Sequence, residues 1–123
     1  MKTLANCTPR EFMRQTVKMR KPFAEWLERT GISEIRKRMP EGFDEMDVDA
    51  QTRALSEQGR RNLQDMLFTA FEKDEEGTLN VLALCCFIEP EQIDEYSMAD
   101  YFKAVLEMLN NEVVRDFFML FMS

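Results

Sequence analysis

The side chains most able to do chemistry in this sequence are three cysteines, and their setting argues against a reactive role. Cys7 stands alone near the N-terminus, while Cys85 and Cys86 are neighbours, which is poor geometry for a disulfide between them. Both lie inside the apolar run 79–88, where cysteine behaves as a small hydrophobic residue. We therefore expect three reduced thiols, with Cys85 and Cys86 in the core.

The sequence contains few side chains suited to acid–base catalysis. The 123 residues include no histidine, which removes the commonest general base and the commonest metal ligand. Paired carboxylates such as Glu25 and Glu28 are able in principle to exchange protons, but the sequence offers no phosphate-binding loop or metal-ligand cluster to accompany them. The sequence therefore predicts a protein that is not an enzyme and that has no cofactor.

The acidic connector 41–49 invites comparison with a calcium loop, and the comparison fails. An EF-hand loop needs glycine at its sixth position. A loop starting at Asp47 has Thr52 there, and one starting at Asp74 has Leu79. We interpret these carboxylates as solvated loop residues and predict no metal site.

Charge divides the chain into two parts. Residues 1–39 carry a net charge of +6 and residues 40–123 a net charge of −13, which gives −7 overall. A basic segment of this kind lies against an acidic surface of its own chain or of a partner, or it binds phosphates. The simpler alternative is two solvated faces that attract each other weakly.

Composition indicates the fold class. The chain is 45% hydrophobic, with only four glycines and four prolines, which favours an all-α protein, a compact bundle of about five to six helices. We predict one domain over residues 1–123, made of a basic helical segment 9–39 and an acidic helical body 48–122. No apolar stretch is long enough to span a membrane or to act as a signal peptide, so we expect a cytoplasmic protein without membrane partners.

The first helix has clear start and stop signals. Thr8 is a good N-cap, Pro9 suits the first helical position, and Glu11 completes a capping box. Gly31 is placed to end the helix, and Pro22 predicts a kink or break within it. Apolar residues recur at helical spacing: Phe12, Met13, Val17, Met19, Phe23, Ala24, Trp26 and Leu27.

A short and a long helix come next. Ser33 can cap a turn of helix over Glu34 to Arg38, which Pro40 stops. A long amphipathic helix is predicted from about Asp49 to Glu72. Its apolar residues are expected to face the core: Leu55, Leu63, Met66, Leu67, Ala70 and Phe71.

The C-terminal half is predicted to hold four more segments. The run 79–88, capped by Thr78, has a composition that also suits a strand, and we interpret it as a buried central helix because it is long for a strand. A short helix around 92–95 leads to helices over 98–109 and 112–121, the first opened by a capping residue and the second by two asparagines.

The last helix ends in a stretch, 117–122, that is apolar on every side. Since a terminal helix of a small domain buries one face, this stretch is either tucked into the core or forms a contact for a partner or for a second copy. Ten methionines favour adaptable contacts. The predicted contact residues are Phe117, Phe118, Phe121 and Met122.

Two regions carry a family resemblance. The first is the opening segment Thr8-Pro9-Arg10-Glu11-Phe12, which a basic amphipathic helix follows. The second is the succession of an apolar helix, Glu89-Pro90-Glu91-Gln92-Ile93, a Ser97-capped helix and a Phe-rich closing helix. Together they resemble the tail assembly chaperones of long-tailed bacteriophages and prophages. The resemblance implies a small helical protein that binds the tape-measure protein and keeps it soluble while the tail tube polymerises around it.

On this interpretation the partners are the tape-measure protein and, as further candidates, the tail tube protein and a second copy of the chain. The alternative is a small helical regulator that binds nucleic acid through basic residues between Arg10 and Lys21 or through Arg36-Lys37-Arg38. The acidic body argues against it, because nineteen carboxylates after residue 39 repel phosphates.

Overall fold

The structure, a computed structural model, describes the backbone of residues 1–121 and the side chains of residues 1–120. Regular structure in this part of the chain is helical, and it contains no strand, so the all-α prediction is confirmed. The α-helices are α1 Pro9–Thr30, α2 Ile32–Arg36, α3 Val48–Lys73, α4 Glu75–Cys85, α5 Met98–Leu109 and α6 Glu112–Phe121. Two short 3₁₀ helices, Phe43–Glu45 and Pro90–Glu95, lie in the connections.

Helix α1 begins and ends at the predicted residues. The Thr8 hydroxyl accepts the backbone N–H of Glu11, whose carboxylate accepts the N–H of Thr8. Gly31 ends the helix in the left-handed conformation, at φ 67°, which costs a glycine little. Pro22 was predicted to cause a kink or a break, and a break is excluded because α1 runs through this position, with buried side chains on both sides of it.

The buried face of α1 packs against α4, and two hydrogen bonds connect them. Gln15 donates its side-chain N–H to the carbonyl of Leu84 at 2.6 Å. The indole N–H of Trp26 donates to the hydroxyl of Thr78 at 2.9 Å. Because these polar groups lie in apolar surroundings, each bond satisfies a group that would be costly to leave unpaired, and together they fix the position of α4 along α1.

Asp74 joins three helices. It ends α3, and its carboxylate caps α4 by accepting the backbone N–H of Gly77 at 3.0 Å. The same carboxylate accepts the Nε–H of Arg29 on α1 at 2.7 Å, and this bond lowers the pKa of Asp74. The prediction that Thr78 caps this helix is therefore wrong. Thr78 is buried one turn further on, where its hydroxyl donates to backbone carbonyls of α3 and its C-terminus.

The C-terminal helices match their predicted bounds. Ser97 and Asp100 form a capping box at the start of α5, and the Asn111 side chain accepts two backbone N–H groups at the start of α6. The hydroxyl of Tyr101, almost wholly buried, donates to the carbonyl of Ile93 at 2.8 Å. This bond ties α5 to the preceding 3₁₀ helix.

One hydrophobic cluster draws on every α-helix. Its fully buried members include Met19, Phe23, Leu27, Ile32, Ile35, Ala70, Val81, Cys85, Tyr101, Ala104, Met108, Val114 and Phe118. Helix α3 contributes only Ala70 to this set, and the core-facing prediction is wrong for Leu55 and Leu63, which are exposed. Over the described residues, no helix combines the length and the apolar character that crossing a bilayer requires.

Candidate partner-binding surfaces

The four contact residues predicted at the C-terminus divide into three groups. Phe118 is 8% exposed and packs edge-on against Phe23 of α1, with ring centroids 5.7 Å apart. Phe117 is half-buried against Phe12 at 5.4 Å. The side chain of Phe121 and all of Met122 lie outside the described residues. The structure thus brings Phe117 and Phe118 together with α1 and places Phe118 in the core.

The outer face of α6 is formed by other residues. Val113 and Leu120 are the most exposed apolar side chains of this helix, with Leu120 at 75%. They are seven residues apart and therefore share one face. Helical spacing places Val113 and Leu120 on a different side of α6 from Val114 and Phe118, and the structure shows that the side with Val114 and Phe118 is the buried one.

The outer face of α1 is apolar at its centre and cationic at its margins. Met13 and Val17, four residues apart, are 59% and 77% exposed. Around them lie four exposed cations that form no ion pair within the described chain: Arg10, Arg14, Lys18 and Arg20. The sequence pattern grouped Met13 and Val17 with the buried residues of α1, since helical spacing alone does not show where the buried face ends.

A shallow groove lies beside this face, bordered by Phe87. This residue follows the end of α4 with φ 56°, the one non-glycine among the described residues with positive φ, a conformation that is uncommon for a bulky side chain. The ammonium of Lys2 lies 5.6 Å from the Phe87 ring centroid. The groove is open to solvent over most of its extent, and its lining is Glu11, Met13, Arg14, Gln15, Val17, Lys18 and Phe87.

The charge at the groove is positive. The carboxylate of Glu11 bonds to the ammonium of Lys2 and to the backbone of Thr8, and these bonds lower its pKa to about 2. Its negative charge is thereby matched locally, whereas Arg14 and Lys18 remain without a carboxylate partner in the described chain. The groove therefore offers apolar contact together with sites for an acidic partner.

The first half of α3 is a third exposed surface. From Val48 to Arg61 no side chain is buried. Three apolar residues, Val48, Leu55 and Leu63, are 76%, 44% and 50% exposed. Sequence reasoning identified the two leucines as one apolar face but assigned that face to the core.

The three cysteine thiols are weakly reactive because they are wholly or partly buried. Burial raises the pKa of the Cys85 thiol to about 12 and that of Cys86 to about 11, which keeps both thiols protonated and weakly reactive. Cys7 is partly buried, and its pKa is raised for the same reason. Among the described residues, no three cysteine or carboxylate side chains come together as a metal site.

Comparisons of the chain with family profiles, with curated proteins and with solved structures return no match. The assignment of a function therefore depends on the surfaces described above, which are those of a helical protein with three exposed apolar faces.

Proposed function

We propose that this protein is a tail assembly chaperone of a bacteriophage or prophage, acting in the bacterial cytoplasm as a binding protein and not as an enzyme. In this role it holds helical segments of the tape-measure protein and keeps them soluble until the tail tube forms around them. The observation that carries the proposal is the groove between α1 and Phe87, where exposed apolar side chains lie among unpaired cations.

The dimensions of this surface suit one face of an amphipathic helix. Met13 and Val17 lie one turn apart, about 6 Å along the axis, and Phe87 extends the apolar contact to the side. A bound helix would place apolar residues at i and i+4 against this surface, in the manner of helix-in-groove recognition. Carboxylates on the flanks of that helix would pair with Arg14 and Lys18. The preferred ligand is therefore an acidic amphipathic helix.

Shielding such helices is what a tape-measure chaperone must do. A long chain with exposed apolar helical faces aggregates unless those faces are covered. The chaperone itself stays soluble with its ligand because its net charge is −7. Val113 and Leu120 on α6 offer a second contact of the same kind, next to the residues predicted from the sequence.

Co-expression with fragments of the tape-measure protein tests the proposal. Overlapping fragments are produced with and without the chaperone, and the soluble amount of each is measured. We expect fragments that contain acidic amphipathic helices to become soluble with the wild type. Val17→Glu should abolish this effect, because it places a carboxylate among the apolar contacts and beside the acidic ligand.

Val113→Glu makes the same change at an equally exposed position on α6, the second candidate contact, and Leu106→Glu on α5 is the matched control because Leu106 is exposed and belongs to neither surface. Loss with Val17→Glu and retention with Val113→Glu assigns binding to the α1 groove, and the reverse pattern moves it to α6. Wild-type protein that solubilises no tape-measure fragment refutes the chaperone proposal.

One observation favours the nucleic-acid-binding alternative, namely the four unpaired cations on the outer face of α1. Phosphate binding by these residues would weaken steeply as salt rises. Fluorescence anisotropy with labelled duplex DNA decides between the two. We expect no binding at about 150 mM salt, and sequence-selective binding that persists there would replace the chaperone proposal with the regulator.

A further inference from the structure

The exposed face of α3 has a regular pattern. Val48, Thr52, Leu55, Gly59 and Leu63 follow one another at steps of three or four residues, so they form a straight stripe along one side of the helix. We call these five residues the α3 stripe. A side chain added at Gly59 would meet no atom within 4 Å, which means that the middle of the stripe is open.

The neighbours of this half-helix lie to one side of the stripe. Gln51 donates to the carbonyl of Phe43 at 3.0 Å, and Asn62 donates to the carbonyl of Arg38 at 3.1 Å. Gln51 and Asn62 project from the same side of α3. The monomer therefore covers this flank and leaves the stripe uncovered.

The first half of α3 packs less closely on the domain than the second half, because no side chain from Val48 to Arg61 is buried. Helical stability in proteins comes mainly from packing of an apolar face, and this segment also contains residues of low helix propensity, such as Gly59 and Thr52. A surface that packs on the stripe would supply the missing support.

We propose that the α3 stripe binds the α3 stripe of a second copy, with the two helices antiparallel. The spacing of the stripe is nearly symmetric about its centre. An antiparallel pair with its two-fold axis next to Leu55 places Val48 of each copy opposite Leu63 of the other, and Thr52 opposite Gly59. Each large side chain of the stripe then meets an apolar neighbour, in an isologous contact.

Charge on the flanks distinguishes the two orientations. Asp49 and Arg60 lie on the same flank of the stripe and form no ion pair within the described chain. In the antiparallel pair, Asp49 of one copy and Arg60 of the other differ by only two residues in their position along the helix axis. The two-fold symmetry repeats this contact, so two ion pairs form. A parallel pair would instead bring the charged flank of one copy against the opposite flank of the other, which the rest of the monomer covers, and would leave both charges unmatched.

The size of the contact sets its strength. The 16 residues from Val48 to Leu63 extend about 24 Å. Two helices that pack over this length bury a total surface near or below about 1,200 Å², which is the lower end for stable protein interfaces. We therefore expect a reversible dimer with a Kd in the micromolar range. This inference does not depend on the proposed function, because it uses a different surface.

Sedimentation equilibrium over about 5 to 500 μM protein, which brackets a micromolar Kd, tests the association. The average mass should rise with concentration from 14.6 kDa toward twice that value. Leu55→Lys should hold the protein at the monomer mass over the whole range. Leu106→Lys is the matched control, because Leu106 is a similarly exposed leucine on α5, and it should associate as the wild type does.

The orientation has its own test. Asp49→Arg and Arg60→Glu should each raise the Kd about ten-fold, and the double variant should recover most of the wild-type affinity. Under mild oxidation Leu55→Cys should form a disulfide-linked dimer, whereas Val48→Cys should not, because the antiparallel arrangement holds the two copies of residue 48 about 22 Å apart. Wild-type protein, which retains Cys7, gives the background level of crosslinking.

Three results would overturn the proposal. The first is a wild-type protein that stays monomeric up to 500 μM. The second is a dimer that Leu55→Lys leaves intact while circular dichroism shows normal helicity. The third is equal crosslinking of Val48→Cys and Leu55→Cys, which would mean parallel helices and would reject the antiparallel arrangement.

Discussion

Phe118 and Leu120 lie two residues apart on α6 and have opposite environments, so they provide a sharp test of how this helix is used. Phe118 is 8% exposed, with its ring 5.7 Å from that of Phe23 and 5.6 Å from that of Phe117. Leu120 is 75% exposed. We predict that Phe118→Ala destabilises the protein strongly and that Leu120→Ala does not.

The magnitude follows from the contacts. Truncating a buried phenylalanine to alanine costs about 3 to 5 kcal/mol, and the two edge-on ring contacts belong to that loss. Because Phe118 keeps 8% of its surface exposed, we expect about 3 kcal/mol, at the lower end of the range. For a chain of this length that corresponds to a fall in Tm of about 10 to 15 °C. Leu120→Ala should change the Tm by less than about 2 °C.

Thermal unfolding followed by circular dichroism measures both variants, and the co-expression assay is run in parallel. A Phe118→Ala protein that melts within about 3 °C of the wild type, against the shift expected from burial, would show that the ring is not part of the core. If that protein also failed to solubilise tape-measure fragments, Phe118 would be a partner contact, as predicted from the sequence.

Three further predictions concern the interior and the helix ends. Thr78→Val should lower the free energy of unfolding in urea by about 1 to 3 kcal/mol, because the indole N–H of the half-buried Trp26 loses its acceptor. Cys85 and Cys86 should resist a thiol reagent such as dithionitrobenzoate at pH 8 in the native protein and react fully in urea. Burial raises their pKa values to about 12 and about 11, above the usual 9.0. Above pH 9 the unfolded protein therefore loses thiol protons that the native protein keeps. The free energy of unfolding should fall as the pH rises from 9 toward 12. Ser97→Ala should cost about 1 kcal/mol and fray the start of α5, which hydrogen exchange at its first backbone amides would detect.

The helix ends were predictable where a short local hydrogen bond sets them. Thr8 and Ser97 each lie three residues before a carboxylate, and both form the expected capping boxes. Asn111 caps α6 in the same local way. These contacts span three residues or fewer, so the sequence contains all the information that they require.

The start of α4 was missed because distant residues decide it. Asp74 and Thr78 are both good capping residues. Asp74 caps α4 because Arg29, 45 residues away, donates a hydrogen bond to its carboxylate and holds it in place. Thr78 is buried instead, and its hydroxyl accepts the indole N–H of Trp26. Neither contact can be read from the local pattern.

The candidate surfaces were predicted least well, for a related reason. Helical spacing shows that Leu55 and Leu63 share a face, and it is silent on whether that face meets the core, a partner or water. In the same way, the uniformly apolar end of the chain did not distinguish Phe118, which is buried, from Leu120, which is exposed. Only the packing of α6 on α1 separates them.

The three-helix joint at Asp74 also constrains which sequences can share this fold. A β-carbon at Gly77 would come within 2.0 Å of the Asp74 carboxylate. Any other residue there would require the Asp74 side chain to shift, and its bonds to Gly77 and Arg29 would have to adjust with it. Asp74 and Gly77 should therefore change only together in distant relatives, with an arginine kept in the last turn of the first helix.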